Sequence, residues 1–176
     1  MKATTAAWSL AFARQAQADF YVWQALELNN DAHPCHRMLL LQMACEKICK
    51  SRLMNDRGTL PADLQSSHGF VANPLPTVIR AQLEFLGEDL RTKSAFLQFT
   101  RHLAAEIEIL NPAMKRDGKR PDNCEYPWEH GNTLHSPLDW QFIPQQLLHE
   151  KFGPLFVKML RMSICRAVEE LQNSQP

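Results

Sequence analysis

The segment from His36 to Asn55 carries Leu39, Leu40, Leu41, Met43, Ala44, Cys45, Ile48 and Cys49, so an α-helix drawn through it is apolar over much of its circumference. A helix of that kind must be enclosed by other helices or by lipid. The chain contains no run of about 18 apolar residues, the length a membrane span requires. The segment therefore belongs in the middle of a helical protein, directly after Pro34.

Its neighbours supply the enclosure. Between residues 5 and 29, Trp8, Phe12, Ala16, Phe20, Trp23 and Leu26 recur at steps of three and four and form one stripe, ended by Asn29-Asn30-Asp31. A connection over 56–74 contains Gly58, Pro61, Gly69 and Pro74. A third stripe follows in Ile79, Leu83, Leu86 and Leu90, a fourth in Phe96, Phe99, Leu103, Ile107 and Leu110, and a last in Phe152, Phe156, Met159, Leu160, Ser163, Ala167 and Leu171. Asn111-Pro112 stops the fourth, because a residue before proline disfavours helix. Only six Gly and no alternating Val/Ile/Thr runs leave little room for a sheet. The expected fold is all-α: an up-and-down bundle of about five helices in one domain, 1–176, with a long Pro-rich loop before the last helix.

That loop, 112–143, includes Pro112, Pro121, Pro127 and Pro137, yet also Tyr126, Trp128 and Trp140. Long loops in compact domains are usually functional or folded onto the surface. The aromatic rings predict that this one is ordered and packs on the bundle.

Nineteen Lys+Arg balance nineteen Asp+Glu, which excludes a protein that coats nucleic acid by bulk charge. The balance is locally uneven. Residues 32–57 hold five bases and two acids, 81–110 hold three bases and five acids, and 115–120 hold four bases and one acid. An odd count of five Cys, with Cys45 and Cys49 inside an apolar helix, suits reduced buried thiols. With no export core and no span, the expected location is the cytoplasm.

The string His36-Arg37-Met38-Leu39-Leu40-Leu41-Gln42-Met43-Ala44-Cys45-Glu46-Lys47-Ile48-Cys49-Lys50 resembles the second-helix signature of HEPN domains. In that family an apolar helix carries a Gln, an Ala, a Glu-Lys pair and a further Lys, the order of Gln42, Ala44, Glu46, Lys47 and Lys50 here. Ala18-Asp19 before it, Ser67-His68 after it, and Glu125-Tyr126-Pro127-Trp128, similar to the family's Arg-Tyr-Pro-Asp segment, extend the likeness. It covers residues about 10–70 well and 120–170 loosely. Ribonuclease members carry an Arg followed, after four to six residues, by a His. None of the seven His, at 33, 36, 68, 102, 130, 135 and 149, has such an Arg.

The resemblance implies a helical homodimer that binds RNA, a nucleotide or a nucleotidyltransferase partner, as in toxin–antitoxin or defence systems. Without the ribonuclease motif, a binding role is expected rather than cleavage, with no cofactor. The alternatives are a divergent ribonuclease using His68 or His102 and a protein-interaction module.

The residues carry their own arguments. Glu46 and Lys50 are one turn apart beside Leu39 and Met43, so they face a packed region and need partners. They form either a structural ion pair, reaching helix one through Asp19, or the polar floor of a site in which Lys47 and Lys50 contact phosphate. Asp117-Gly118 reads as a turn tip displaying Lys115, Arg116, Lys119 and Arg120. Tyr126 and Trp128 follow, the mixture of charge and rings that single-stranded nucleic acid uses, or else a hydrophobic latch. His33, Cys35 and His36 are metal-ligating types, but at irregular spacing, and capping of the second helix accounts for them better. His68, in a glycine-containing turn, fits a capping role or acid–base work, for which the sequence names no orienting partner.

Overall fold

The computed structural model describes residues 3–65, 68–114 and 120–174. Within them the chain is mostly helical, with seven helices and one small two-stranded sheet. Five helices are long: α1 (Thr5–Glu27), α2 (Pro34–Arg57), α4 (Pro74–Phe85), α5 (Ser94–Glu108) and α7 (Gly153–Asn173). Two are short: α3 (Pro61–Gln65) and α6 (Ile143–Leu148).

Local chemistry sets the helix ends. Thr4 Oγ1 accepts from the Ala7 N–H at 3.2 Å and caps α1. Pro34 opens α2, where a missing N–H costs nothing, and Gly58 closes it at φ 63°, a left-handed conformation that favours glycine. The α4 helix starts at Pro74, five residues before the Ile79 stripe, because Pro74 and Pro76 occupy a first turn whose N–H groups have no intrahelical acceptor. The α7 helix begins against the end of α6: a Cβ on Gly153 would lie 1.9 Å from the Leu148 carbonyl oxygen.

The α2 helix is central. It touches α1, α4, α5, α6 and α7, and Met38, Leu41, Ala44, Cys45, Ile48 and Cys49 have no exposed surface. Phe20 and Trp23 of α1, Ile79 and Leu83 of α4, Phe96 and Leu103 of α5, and Phe156 and Leu160 of α7 complete the core around it. The α1 and α2 helices run antiparallel, Ser9 meeting Ser51 and Asp19 meeting Lys47. Small side chains allow the close approach: each serine hydroxyl donates to the other's backbone carbonyl, at 2.8 and 2.9 Å.

Within the described part of 112–143, Cys124 and Phe142 belong to the core cluster and Trp140 packs against it. Cys124 N–H donates to the Leu110 carbonyl at 3.3 Å, and Trp128 and Phe142 are buried. The loop also contains the one element that composition argued against, an antiparallel hairpin of β1 (Trp128–His130) and β2 (Thr133–His135). Gly131, at φ 62°, and Asn132 form its two-residue turn. Trp128 stacks on His135, its register partner, and meets Trp140 edge-on. The Gly-Asn pair is the sequence signal for such a turn. Among the described residues no helix is long and apolar enough to cross a membrane.

Candidate functional site

Gln42, Glu46 and Lys50 follow one another at single-turn spacing along α2, and all three are buried. Gln42 Nε2 donates to Glu46 Oε2 at 2.7 Å. Lys50 Nζ lies 2.6 Å from Glu46 Oε1 and 5.6 Å from the centre of the Phe70 ring. The turn after α3 brings His68 to the same place, with Nδ1 3.3 Å from Glu46 Oε1. One carboxylate thus holds an amide, an ammonium and an imidazole. That is the orienting partner for His68 that its sequence neighbourhood lacks, and the imidazole remains partly exposed, 38% of the side chain.

Lys47 points along the neighbouring face and pairs with Asp19 of α1. The tie between α1 and α2 therefore runs through Lys47, while Glu46 and Lys50 satisfy each other. Both lysines have their charge matched by a carboxylate, and a phosphate there would have to displace Asp19 or Glu46. Ser67 lies outside the described residues.

Glu108, which sequence reasoning did not single out, fixes the turn that carries His68. Its Oε2 accepts from the backbone N–H of Val71 at 2.8 Å and of Ala72 at 2.9 Å. Met114, the residue before Lys115, lies beside Gly69: its Cε would be 3.5 Å from a Cβ placed there.

Arg116 and Lys119, with the Asp117-Gly118 tip, lie outside the described residues. Arg120 is described, and its Nη1 lies 2.6 Å from Glu106 Oε2 while Nη2 lies 3.1 Å from Asp122 Oδ2. Burial alone would push the Arg120 pKa down; the hydrogen bonds and charges of Glu106 and Asp122 outweigh it, so the net shift is upward. His102, on α5, is exposed, with Nε2 3.9 Å from Glu106 Oε1.

Beside this network the loop borders a half-open hollow of about 180 Å³, lined by Arg120, Asp122, Trp128, His130, Trp140 and Gln141 among others. Arg120 and Trp128 converge there as lining residues, joined by Trp140 and His130. Tyr126 is exposed and does not line it, and neither does any α2 residue. The polar line of α2 and the loop hollow are two places, with no lining residue of the hollow on α2.

At the start of α2, Cys35 is turned into the core while His33 and His36 are exposed, their rings edge-on with centres 6.1 Å apart. Burial pushes the Cys35 thiol pKa up, the wrong direction for a thiolate ligand. Among the described residues no group of three His, Cys, Asp or Glu gathers in a way that would hold a metal ion.

Comparison with family models, with curated proteins and with solved structures finds no match for this chain.

Proposed function

We propose that this chain is a HEPN-like up-and-down helical bundle, homodimeric and cytoplasmic, that binds single-stranded RNA or its nucleotides through the 112–143 loop. The observation that carries the reading is the convergence of Arg120, Trp128, Trp140 and His130 on one hollow. The partly exposed Trp140 indole offers a face for a stacked base, and Gln141 and His130 offer hydrogen bonds to base edges. Arg120 is already matched by Glu106 and Asp122, so phosphate contact falls to Lys115, Arg116 and Lys119, next to it in the chain. Glu46 and Lys50, together with Lys47, then hold α2 and the His68 turn in position.

Titration of the intrinsic tryptophan fluorescence with a single-stranded RNA of about ten nucleotides, near an OB-type site size, tests this at low salt. Quenching is expected, lost in Trp140→Ala and weakened in Arg116→Glu with a shallower salt dependence. An unchanged spectrum, or affinity indifferent to salt and to Arg116→Glu, overturns the reading. Stable association with a nucleotidyltransferase in the absence of any RNA binding would move the function to a protein-interaction module.

One contact favours a second reading, a divergent ribonuclease: the 3.3 Å approach of His68 to Glu46, which orients a partly exposed imidazole. Cleavage of RNA that persists through purification and vanishes in His68→Ala would establish it. Cleavage retained in that variant would exclude His68.

A further inference from the structure

A second hollow, of about 190 Å³, lies between the C-terminal half of α2, the first turns of α4, and α7, and shares no lining residue with the loop hollow. Leu53, Pro74, Val78 and Ala81 give it apolar walls, and Arg52 and Arg166 bring two guanidinium groups to it. A single carboxylate bridges them: Glu170 Oε2 lies 2.9 Å from Arg52 Nη1, and its Oε1 lies 3.4 Å from Arg166 Nε. That carboxylate is half exposed, whereas both arginine side chains are 16% exposed. Among the described residues, Arg52 Nη2 and Arg166 Nε, both buried, have no hydrogen-bond acceptor. Buried donors left unpaired are costly, so the resident carboxylate under-serves the pair.

The surroundings carry charge of both signs, two guanidinium groups against the Asp56 carboxylate that also lines the hollow. Arg166 is clamped over the Phe85 ring, its Cζ 4.4 Å from the centroid. Burial lowers its pKa, and the charge of Arg52 acts in the same direction against the opposing charges of Glu170 and Asp56. The α4 N-terminus, which contributes Asn73, Pro74 and Thr77, has no acidic residue in its first turn and no side-chain cap, and the carboxylate described there, Glu108, is engaged by the Val71 and Ala72 amides. A neighbouring hollow shares Asn73 and Thr77 and adds Arg80 and Arg101.

We propose that this hollow is a binding site for a small organic carboxylate with an apolar body, whose carboxylate takes the place of Glu170 between Arg52 and Arg166. Guanidinium groups bind carboxylates through paired hydrogen bonds, and the apolar walls accept the remainder of the molecule. Glu170 serves as an internal stand-in that swings to solvent when the ligand enters.

Isothermal titration of the full chain with 3-phenylpropionate, and with 3-phenylpropionamide as its neutral analogue, tests the proposal. The acid is expected to bind at least about tenfold more tightly than the amide, the difference one charge-assisted pair supplies. Glu170→Gln, which removes the competing charge from a half-exposed position, is expected to tighten acid binding by about fivefold or more. Arg166→Met is expected to abolish it, with a thermal melt confirming that the variant is folded. Equal affinity for acid and amide overturns the proposal. So does acid binding that Glu170→Gln leaves unchanged or weakens, or absence of binding in both wild type and Glu170→Gln.

Discussion

Lys50 Nζ lies 2.6 Å from Glu46 Oε1 one helical turn away, and both side chains are buried in the middle of the molecule. Gln42 and His68 complete the carboxylate's partners. Removing either member of a buried ion pair strands the other charge, at a cost of about 3–5 kcal/mol, whereas replacing both with groups of similar size is far milder. Glu46→Ala and Lys50→Ala should each lower unfolding free energy in urea by that amount, and Glu46→Gln/Lys50→Met should recover most of it. Additive losses in the double variant would mean that the two groups do not compensate each other.

The Glu108 carboxylate should govern the 68–72 turn. Glu108→Ala leaves the Val71 and Ala72 amides without their acceptor, a loss of about 2–3 kcal/mol when the bonds are to a charged group. Hydrogen exchange resolved by residue should show both amides exchanging faster in the variant. Unaltered protection at these two positions would contradict the contact.

Alkaline pH should destabilise the fold through its buried thiols. Burial raises the Cys45 pKa far above its ordinary value, and that of Cys49 as well, with the charges of Cys45, Glu46 and Glu108 adding to the latter. A group whose folded pKa is raised contributes stability that is complete below its unfolded pKa and declines as pH rises beyond it. Above about pH 8.5 each thiol should therefore subtract about 1.4 kcal/mol per pH unit. Urea melts at pH 8 and pH 10 measure the slope, which Cys45→Ala/Cys49→Ala should reduce. An equal slope in that variant would assign the loss elsewhere.

Thiol labelling follows from the same burial. Cys35, Cys45, Cys49 and Cys124 are buried, and Cys165 is partly exposed beside Gln17 and Tyr21. With a chromogenic disulfide reagent, Cys165 should react first in the native protein, and all five thiols after denaturation. Rapid native reaction in Cys165→Ser would show that another cysteine is accessible.

The latch of the loop should be aromatic. Trp128 is buried between His135, stacked with ring centres 5.9 Å apart, and Trp140, edge-on at 5.2 Å. Trp128→Ala should cost about 3–5 kcal/mol, as deletion of a large buried ring does, and should remove the near-UV circular dichroism of the Trp128–Trp140 pair. Retention of that signal would show that the hairpin holds without its indole.

Helix positions were legible because a stripe at steps of three and four is a local property. The stripe from Trp8 to Leu26 became Thr5–Glu27, and the apolar segment after Pro34 became the helix that touches α1, α4, α5, α6 and α7. The hairpin has a local cue in Gly131-Asn132, but its strands are only three residues long and lack an alternating β-branched pattern that would make them legible. The candidate site was legible in residue type and not in partnership. Glu46 and Lys50 were readable as a buried pair from their one-turn spacing, whereas His68 joins them across 22 positions.

What the sequence determined by itself is the set of amphipathic helices and the central place of the one that is apolar nearly all round, since burying that surface is the dominant driving force for folding. Which charges meet was decided only by the tertiary structure. Lys47 found Asp19, Glu108 found the Val71 and Ala72 amides, and Arg52 found Glu170 across 118 positions. A hydrophobic stripe is satisfied by any apolar neighbour, but a buried charge is satisfied only by a particular group at hydrogen-bond distance, and that distance exists only once the helices have docked.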